Sequence, residues 1–210
     1  CGSVVELPFA KKVNALLHCY LTGQAGAKAI LNILTGKVNP SGKLAETYLL
    51  KYEDTPSAKY FHALENTAEY RESIFVGYRY FEKVNKPVLY PFGYGLSYTT
   101  FEYSNYSLKE NDDKITISLN VKNTGKVAGK DAVGIYYQAP YTNYDQENKI
   151  EKSAVNLINF TKTNTIEPGK SENISITFSI DEMKSYDSVK TKGYILESGD
   201  YYVTAASDAH

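Results

Sequence analysis

Apolar residues occupy every second position through much of the second half of the chain. Such alternation is typical of β-strands with one face in a core and the other in solvent. It recurs between turn signals such as Asn123-Thr124-Gly125 and Pro168-Gly169. The alternating residues are Ile115, Ile117, Leu119 and Val121, then Val133, Ile135 and Tyr137, then Ile174, Ile176, Phe178 and Ile180, with Tyr194 and residues 201–205 closing the chain. We therefore predict an antiparallel β-sandwich over residues 104–210.

The first half has a different pattern. Two segments with apolar residues at helical spacing lie between two short apolar runs. Residues 2–7 form one such run and residues 44–48 form another. Between them, residues 10–20 and 25–34 carry apolar side chains three and four positions apart. We predict strand, helix, helix and strand, with the helices packed on a sheet as in an α/β layer. Residues 49–67 lack periodicity and are expected to form a long surface connection.

Residues 69–101 join these two halves. Residues 73–81 are rich in β-branched and aromatic side chains, which favours a strand. Pro91, Gly93 and Gly95 follow. The proline fixes φ, and the glycines permit a positive φ or the close approach of another backbone segment. The segment is therefore either a hinge between two folded units or a strand, turn and strand within one domain. We predict the hinge, with domains at residues 1–90 and 104–210 and a linker at residues 91–103.

Composition and charge narrow the class of function. The 210 residues are 42% hydrophobic and 22% charged, which is ordinary for a globular chain of one or two domains. A formal charge of −1 gives no basic surface for nucleic acid or anionic lipid, and no run reaches the roughly 18 apolar residues of a membrane span. Neither nucleic acid nor a membrane is therefore expected as a partner. Sequons at Asn105, Asn159 and Asn173 matter only in a secretory pathway, so the compartment stays open.

No metal or cofactor site is predicted. Cys1 and Cys19 form either one disulfide or, as we expect, buried free thiols, because two cysteines in 210 residues are not a disulfide framework. Neither cysteine belongs to a CxxC pair or a metal-spaced cluster. The segment Gly23-Gln24-Ala25-Gly26 lacks the rest of a phosphate-binding loop and is interpreted as a turn before a helix. None of the three histidines has a second potential metal ligand at helical spacing. They are His18, His62 and His210.

Two long motifs resemble one known family. The first includes Glu69-Tyr70-Arg71-Glu72, Ile74-Phe75-Val76-Gly77-Tyr78-Arg79-Tyr80-Phe81 and Leu89-Tyr90-Pro91-Phe92-Gly93-Tyr94-Gly95-Leu96-Ser97-Tyr98-Thr99-Thr100-Phe101. The second runs from Gly23-Gln24-Ala25-Gly26 to Leu34-Thr35-Gly36-Lys37-Val38-Asn39-Pro40-Ser41-Gly42-Lys43-Leu44. Both resemble, in the right order, the late part of glycoside hydrolase family 3, the β-glucosidases and related exo-glycosidases.

The predicted sandwich agrees with this resemblance. It has about 100 residues but lacks the Cys, Trp, Cys set of a true immunoglobulin domain, so a fibronectin type III-like domain is preferred. Many family members append such a domain. The family's usual leucine and glycine before a phenylalanine are replaced here by Ile158 and Asn159 before Phe160, which affects packing detail. The implied fold class is α+β in two parts, an incomplete α/β sandwich domain followed by an all-β, immunoglobulin-like β-sandwich of the fibronectin type III-like kind.

The resemblance also implies where the chemistry lies. In this family a (β/α)8 barrel supplies an aspartate nucleophile, and the α/β domain supplies a glutamate acid/base in a motif resembling SEGxDR. The sequence contains neither, so no catalytic residue is predicted. The chain is expected to support the fold, the domain packing and a rim of the active site in an enzyme that removes terminal β-glucosyl residues by a retaining mechanism.

The implied partners are the barrel and the first part of the α/β domain, or a second copy of the chain. The carbohydrate substrate would be bound by the full enzyme. Residues 2–48 would then lack neighbours and expose an edge and an apolar patch. The alternative function is a carbohydrate-binding or adhesion module without hydrolase activity. Its stacking platforms would be exposed tyrosines such as Tyr137, Tyr141 and Tyr144.

Charged residues near the hinge are predicted to be structural. We expect Glu72 to form a partly buried ion pair with Arg71 or Arg79, which together with Gly93 and Gly95 fixes the junction between domains. A catalytic role would require a raised carboxyl pKa beside a second carboxylate in a cleft. The carboxylates considered for that role are Glu46, Glu53, Asp54, Glu69 and Glu72.

Overall fold

A computed structural model describes residues 2–61 and 66–210. The helices in these ranges are α1 (Gly26–Leu34), α2 (Tyr78–Lys83) and α3 (Asn143–Asn148). The strands are β1 (Phe101–Asn111), β2 (Lys114–Asn123), β3 (Ala132–Gln138), β4 (Asn156–Lys162), β5 (Ser171–Ser179), β6 (Ser185–Asp187), β7 (Gly193–Ile195) and β8 (Tyr202–Ala206). Short 3-10 turns lie at Ala10–Lys12, Tyr52–Asp54 and Ile180–Met183.

The second part of the chain is a β-sandwich, as predicted. One antiparallel sheet has the strand order β1-β2-β5, and the other has the order β4-β3-β8. The apolar residues of β2 and β5 alternate inward in matched register, with Ile117 opposite Ile176. The buried core comprises Ile115, Ile117, Leu119, Val121, Val133, Ile135, Tyr137, Ile166, Ile174, Ile176, Phe178 and Met183.

Two strands of the sandwich were not predicted. β1 and β4 are edge strands, each paired on one side, and most of β1 is exposed. An edge strand with few inward-facing apolar positions gives little alternation to detect. α3 was also missed, since its six residues are held by the Thr142 capping box rather than by an apolar face.

The predictions for residues 2–48 were correct only in part. The predicted second helix exists as α1, but residues 2–7 form no strand and residues 10–20 form no helix beyond the 3-10 turn at Ala10–Lys12. The predicted strand at residues 44–48 is reduced to a single bridge between Tyr48 and Tyr90. An amphipathic segment without a surface to pack on gains little from being helical. Residues 18–20 instead fold back, so that the Tyr48 hydroxyl lies 3.0 Å from His18 Nε2.

Residues 73–81 also differ from the predicted strand. They form a loop followed by α2, which begins after Gly77 at a φ of +53°. The backbone N–H groups of Tyr80 and Phe81 both donate to the Gly77 carbonyl, which closes the first helical turn. Strand propensity is a weak guide when tertiary contacts decide the outcome. The preceding connection is irregular apart from the turn at Tyr52–Asp54, as predicted, while residues 62–65, including His62, lie outside the described residues.

Burial is concentrated in the sandwich. In the described residues before Phe101, the buried hydrophobic side chains are Tyr48, Leu49 and Phe81, whereas the sandwich contributes most of the core. None of the helices in residues 2–61 and 66–210 combines the length and the apolar character needed to cross a bilayer.

Candidate functional site

The two parts of the chain meet around the side chain of Asn39. Its Oδ1 accepts hydrogen bonds from the Tyr98 backbone N–H at 2.8 Å and from Ser97 Oγ at 2.9 Å. Its Nδ2 donates to the Ala128 carbonyl at 3.1 Å, in a loop of the sandwich. One amide therefore holds the segment after α1, the linker and the sandwich together, because each of its polar atoms binds a different stretch of backbone.

A charged contact continues this junction. Lys43 Nζ lies 3.7 Å from Asp131 Oδ1, and it donates to the Gly95 carbonyl at 3.3 Å. The Tyr103 hydroxyl donates to Asp131 Oδ2 at 2.5 Å. Burial, followed by this hydrogen bond to Asp131, raises the pKa of Tyr103 far above its usual value, so the phenol stays protonated and remains a donor.

Gly93 and Gly95 lie where two backbones approach closely. Gly93 has a φ of +87°, and a Cβ there would lie 2.8 Å from the Cα of Asp208. A Cβ on Gly95 would overlap the carbonyl oxygen of Gly42. Both glycines are therefore required by geometry, one by a left-handed φ and both by a neighbouring backbone that leaves no space.

α2 also bridges the two parts of the chain. The Tyr78 hydroxyl accepts a hydrogen bond from the Leu157 backbone N–H of β4 at 2.9 Å, and Lys83 Nζ lies 5.1 Å from the centroid of the Tyr141 ring. At the other end of the chain, His210 Nδ1 lies 3.2 Å from Glu82. The helix that was predicted as a strand thus contacts the second part of the chain through Tyr78, Glu82 and Lys83.

The predicted ion pair of Glu72 does not form. Arg71 pairs with Glu69 and stacks on Tyr60, with its Cζ 4.1 Å from the ring centroid. In the described part of the chain, no ion pair joins Glu72 to Arg71 or Arg79. Arg71 is therefore paired with the carboxylate two positions before it and not with the adjacent Glu72.

Arg79 lies on α2, and within residues 2–61 and 66–210 no carboxylate pairs with it. Burial raises the pKa of the Tyr137 phenol, and the positive charge of Arg79 opposes that rise, so the two groups interact across α2 and β3. Gly93 thus lies against Asp208, Gly95 lies against Gly42 and Arg79 lies on α2, whereas Arg71 and Glu72 lie in the preceding loop.

Two of the five carboxylates that were weighed as catalysts are paired with cations. Glu69 is held by Arg71, and Asp54 lies 2.8 Å from Lys86 Nζ. Among the described residues there is also no cluster of three or more His, Cys, Asp and Glu side chains able to hold a metal ion. Cys19 is a free thiol, and Cys1, the other member of the pair considered above, lies outside the described residues.

Sequence patterns gave no sign of a buried charge cluster inside the sandwich. Lys152 Nζ donates to Asp145 Oδ2 at 2.8 Å, to the Pro140 carbonyl at 2.8 Å and to Glu197. Burial lowers the pKa of Lys152, but its two carboxylate partners reverse this and raise it overall. Burial likewise raises the pKa of Asp145, but the hydrogen bonds that it accepts from Lys152 and the Thr142 N–H leave it below its usual value.

This cluster lies beside an open cavity of about 570 Å³ at the start of α3. The cavity is lined by Thr142, Asn143, Tyr144, Ile195, Glu197 and Ser198. Tyr144 donates a hydrogen bond to the fully buried Asp187 at 2.8 Å, and Asp187 also accepts from the backbone N–H groups of residues 189–191. The polar groups here mainly satisfy each other and hold the β6–β7 hairpin.

The tyrosines considered as sugar platforms are mostly engaged elsewhere. Tyr137 is 9% exposed and belongs to the core. Tyr144 is bound to Asp187, and the ring of Tyr141 lies under Lys83. Their positions favour packing over stacking on a ligand.

A large apolar surface remains open on the first part of the chain. Leu31 and Leu34 on α1 are 59% and 68% exposed, and Leu21 is 82% exposed. α1 is amphipathic, so these side chains mark the face that an amphipathic helix normally buries. Exposed apolar surface of this kind is typical of an interaction site.

Comparison with family models identifies both parts. Residues 1–98 match the glycosyl hydrolase family 3 C-terminal domain, and residues 132–209 match the fibronectin type III-like domain. The chain is similar to β-glucosidase A of Butyrivibrio fibrisolvens, at 38% identity over 96% of this chain and 26% of the relative. It is also similar to thermostable β-glucosidase B of Acetivibrio thermocellus, at 39% identity with the same two shares.

Solved structures give the same picture. β-Glucosidase 3B from Thermotoga neapolitana in complex with glucose superposes with a TM-score of 0.87 at 32% identity, covering 99% of this chain and 28% of the other. The β-glucosidase from Kluyveromyces marxianus in complex with glucose gives 0.91 at 34% identity, covering 99% and 24%. The chain therefore spans about a quarter of the length of the relatives it matches.

Proposed function

Because this chain belongs to glycoside hydrolase family 3, as the C-terminal domain followed by the fibronectin type III-like domain, we propose that it serves a β-glucosidase-like enzyme as a non-catalytic part. In that enzyme, terminal β-D-glucosyl residues would be hydrolysed with retention by two carboxylates that lie outside this chain. The observation that carries this proposal is the match of nearly the whole chain to only a quarter of each β-glucosidase.

The contribution of this chain is structural. Gly93, Gly95 and Arg79 lie at the junction, and Asn39 and the Lys43–Asp131 contact fasten the linker to both parts. A fixed junction would hold the sandwich in one orientation relative to the domains that carry the chemistry, and catalysis depends on such positioning. We place the domains at residues 1–90 and 104–210, with residues 91–103 as the linker. The absence of helix or strand between residues 91 and 100 supports this division.

The partner we propose is the remainder of the enzyme, namely a (β/α)8 barrel and the first part of the α/β domain. The open face around Leu31 and Leu34 supports this partner, since two leucines more than half exposed on an amphipathic helix need a covering surface. Burying them would contribute roughly 1.5–3 kcal/mol per side chain relative to full exposure.

Hydrolysis of p-nitrophenyl β-glucoside tests this function. The chain alone is expected to be inactive, and activity should appear when it is mixed with a separately produced barrel and upstream α/β segment. A Leu31→Lys, Leu34→Lys double variant should fail to restore activity, whereas Tyr202→Lys, an exposed site on β8, should restore it normally. Turnover by the chain alone, abolished by Glu69→Gln or Glu72→Gln, would overturn the proposal.

A further inference from the structure

A second cavity, of about 480 Å³, lies between the linker and the sandwich. Its walls include Ser97, Thr100, Tyr103, Tyr106, Asp131 and Ser207. The volume falls within the range of small-molecule sites, and the lining combines aromatic rings with a few polar groups, as such sites do. We call this cavity the linker cleft.

A β-bulge places the two tyrosines on the same side of β1. In a regular strand, positions 103 and 106 point to opposite faces because side chains alternate. The register with β2 shifts between Ser104 and Ser107, where three steps along β1 match two along β2. Asn105 at this bulge has a φ of +55°, which is unusual for a residue other than glycine. The extra residue turns Tyr106 towards the linker cleft, and bulges often re-aim a side chain next to a functional site.

The two tyrosines differ in a way that suits a binding wall. Tyr103 is fixed by its hydrogen bond to Asp131, whereas Tyr106 is 57% exposed. An exposed ring beside a fixed one offers an apolar face to a ligand without moving the sandwich. Tyrosine supplies such contact area at a low cost in side-chain entropy.

The electrostatics of the linker cleft favour an uncharged ligand. Asp131 is 7% exposed, and its charge is offset by Lys43 at 3.7 Å and by the Tyr103 hydroxyl. The hydroxyl groups of Ser97, Thr100 and Ser207 add neutral donors and acceptors around it. Each hydroxyl oxygen has two lone pairs, so those already bonded within the chain retain capacity for a ligand.

We propose that the linker cleft binds a pyranose ring of a neutral saccharide, stacked on Tyr106 and hydrogen-bonded to the polar groups of the linker. A pyranose has one apolar C–H face and a rim of hydroxyl groups, which matches one aromatic wall and a ring of neutral polar atoms. This site goes beyond the proposed function, which requires no contact between this chain and sugar. It also uses no catalytic carboxylate, so its test does not depend on hydrolysis.

The test is a titration of the complete chain, produced in bacteria, with cellobiose, followed by ¹H–¹⁵N NMR. Cellobiose is expected to shift the amide signals of residues 96–107 and Asp131. Tyr106→Ala should weaken binding about three- to tenfold, as the loss of one aromatic contact implies. Tyr106→Leu, which keeps an apolar side chain at the bulge, should weaken binding equally, and Tyr106→Phe should retain it.

Two controls separate the linker cleft from general surface binding. Tyr202→Ala, on β8 and 64% exposed, should leave the affinity for cellobiose unchanged. Mannitol, a polyol without a ring face, should produce no shifts at equal concentration. The proposal is wrong if cellobiose shifts none of these amides at 50 mM, which is ten times a Kd of about 5 mM, or if Tyr106→Ala and Tyr106→Leu bind it as well as the unchanged chain does.

Discussion

Gly95 lies against the carbonyl of Gly42, and both contacting groups are backbone. Neither can rotate away as a side chain can, so a methyl group at position 95 must separate the linker from the segment after α1. We expect Gly95→Ala to lower the free energy of unfolding by roughly 1–3 kcal/mol, the usual cost of overpacking. Urea denaturation monitored by circular dichroism measures this change.

Gly23→Ala is the matched control for that substitution. Gly23 has open space around its missing Cβ, and its φ lies outside the left-handed region. Alanine there should change the free energy of unfolding by no more than about 0.5 kcal/mol. Equal effects of Gly95→Ala and Gly23→Ala would mean that the close approach at Gly42 does not constrain the junction.

Lys152 is the other residue whose removal should have a large effect. Lys152→Met leaves Asp145 and Glu197 buried beside each other without a cation, and breaking a buried ion pair from one side typically costs about 3–5 kcal/mol. The same substitution at Lys162, which is exposed on β4, should have little effect. Thermal unfolding at neutral pH compares the two variants.

The pH dependence of the Lys152→Met effect follows from Asp145. Its pKa is below the usual value in the folded chain, so its contribution to stability is present above the ordinary Asp pKa of about 3.9 and is lost as the pH falls. The difference between Lys152→Met and the unchanged chain should therefore shrink below about pH 4. A difference that is constant from pH 3 to pH 7 would contradict this account of the cluster.

The sequence predicted some of these residues and not others. Gly93 and Gly95 were found because glycines in a turn are visible locally. Asn39, the Lys43–Asp131 contact and the Lys152 cluster were not found, since their partners lie far away along the chain, 89 residues away for Asn39 and Ala128. The wrong prediction for Glu72 has the same origin. Glu72 lies near two arginines in the sequence, but the path of the backbone determines which side chains can form an ion pair.

At the scale of elements, the β6–β7 hairpin depends on one buried carboxylate. Asp187 accepts backbone hydrogen bonds from residues 189–191, which, led by the one from Lys190, hold its pKa well below the usual range. Asp187→Asn removes the charge and should speed amide hydrogen exchange at residues 189–191. Asp200→Asn, at an exposed position, is the control and should leave that exchange unchanged. Protection that survives Asp187→Asn would show that the turn holds without its carboxylate.

The accuracy of the secondary-structure predictions depends on how each element packs against the rest of the chain. In the sandwich, alternation correctly located β2, β3 and β5, because each strand buries one face against the opposing sheet. In the first part, α1 was correct, but the other predicted helix and the strands predicted at residues 2–7, 44–48 and 73–81 were not. Residues 10–20 keep apolar side chains such as Leu16 exposed, whereas residues 44–48 and 73–81 bury Tyr48 and Phe81 without forming a strand. Local propensity therefore did not decide their structure.

At the scale of the whole molecule, the chain is one well-packed domain attached to one that is open. The sandwich holds a continuous buried core, whereas the first part buries few apolar side chains and exposes α1. The family resemblance predicted this asymmetry, since it placed the start of the chain inside an α/β domain. Composition alone did not, because 42% hydrophobic residues would suffice for a complete core.

This asymmetry predicts unequal local stability. Backbone amides of residues 2–48 should exchange at least about 100-fold faster than those of β2, β3 and β5, because opening of a poorly packed segment costs less free energy than global unfolding. Adding the barrel and upstream α/β segment should slow exchange in residues 2–48 and leave the sandwich unchanged, which hydrogen-exchange mass spectrometry can follow peptide by peptide. If residues 2–48 of the monomeric chain were already as protected as β2, the open face around Leu31 and Leu34 would not indicate an absent partner. The first part would then be stable by itself, and the role proposed for the rest of the enzyme would have to rest on chemistry rather than on packing.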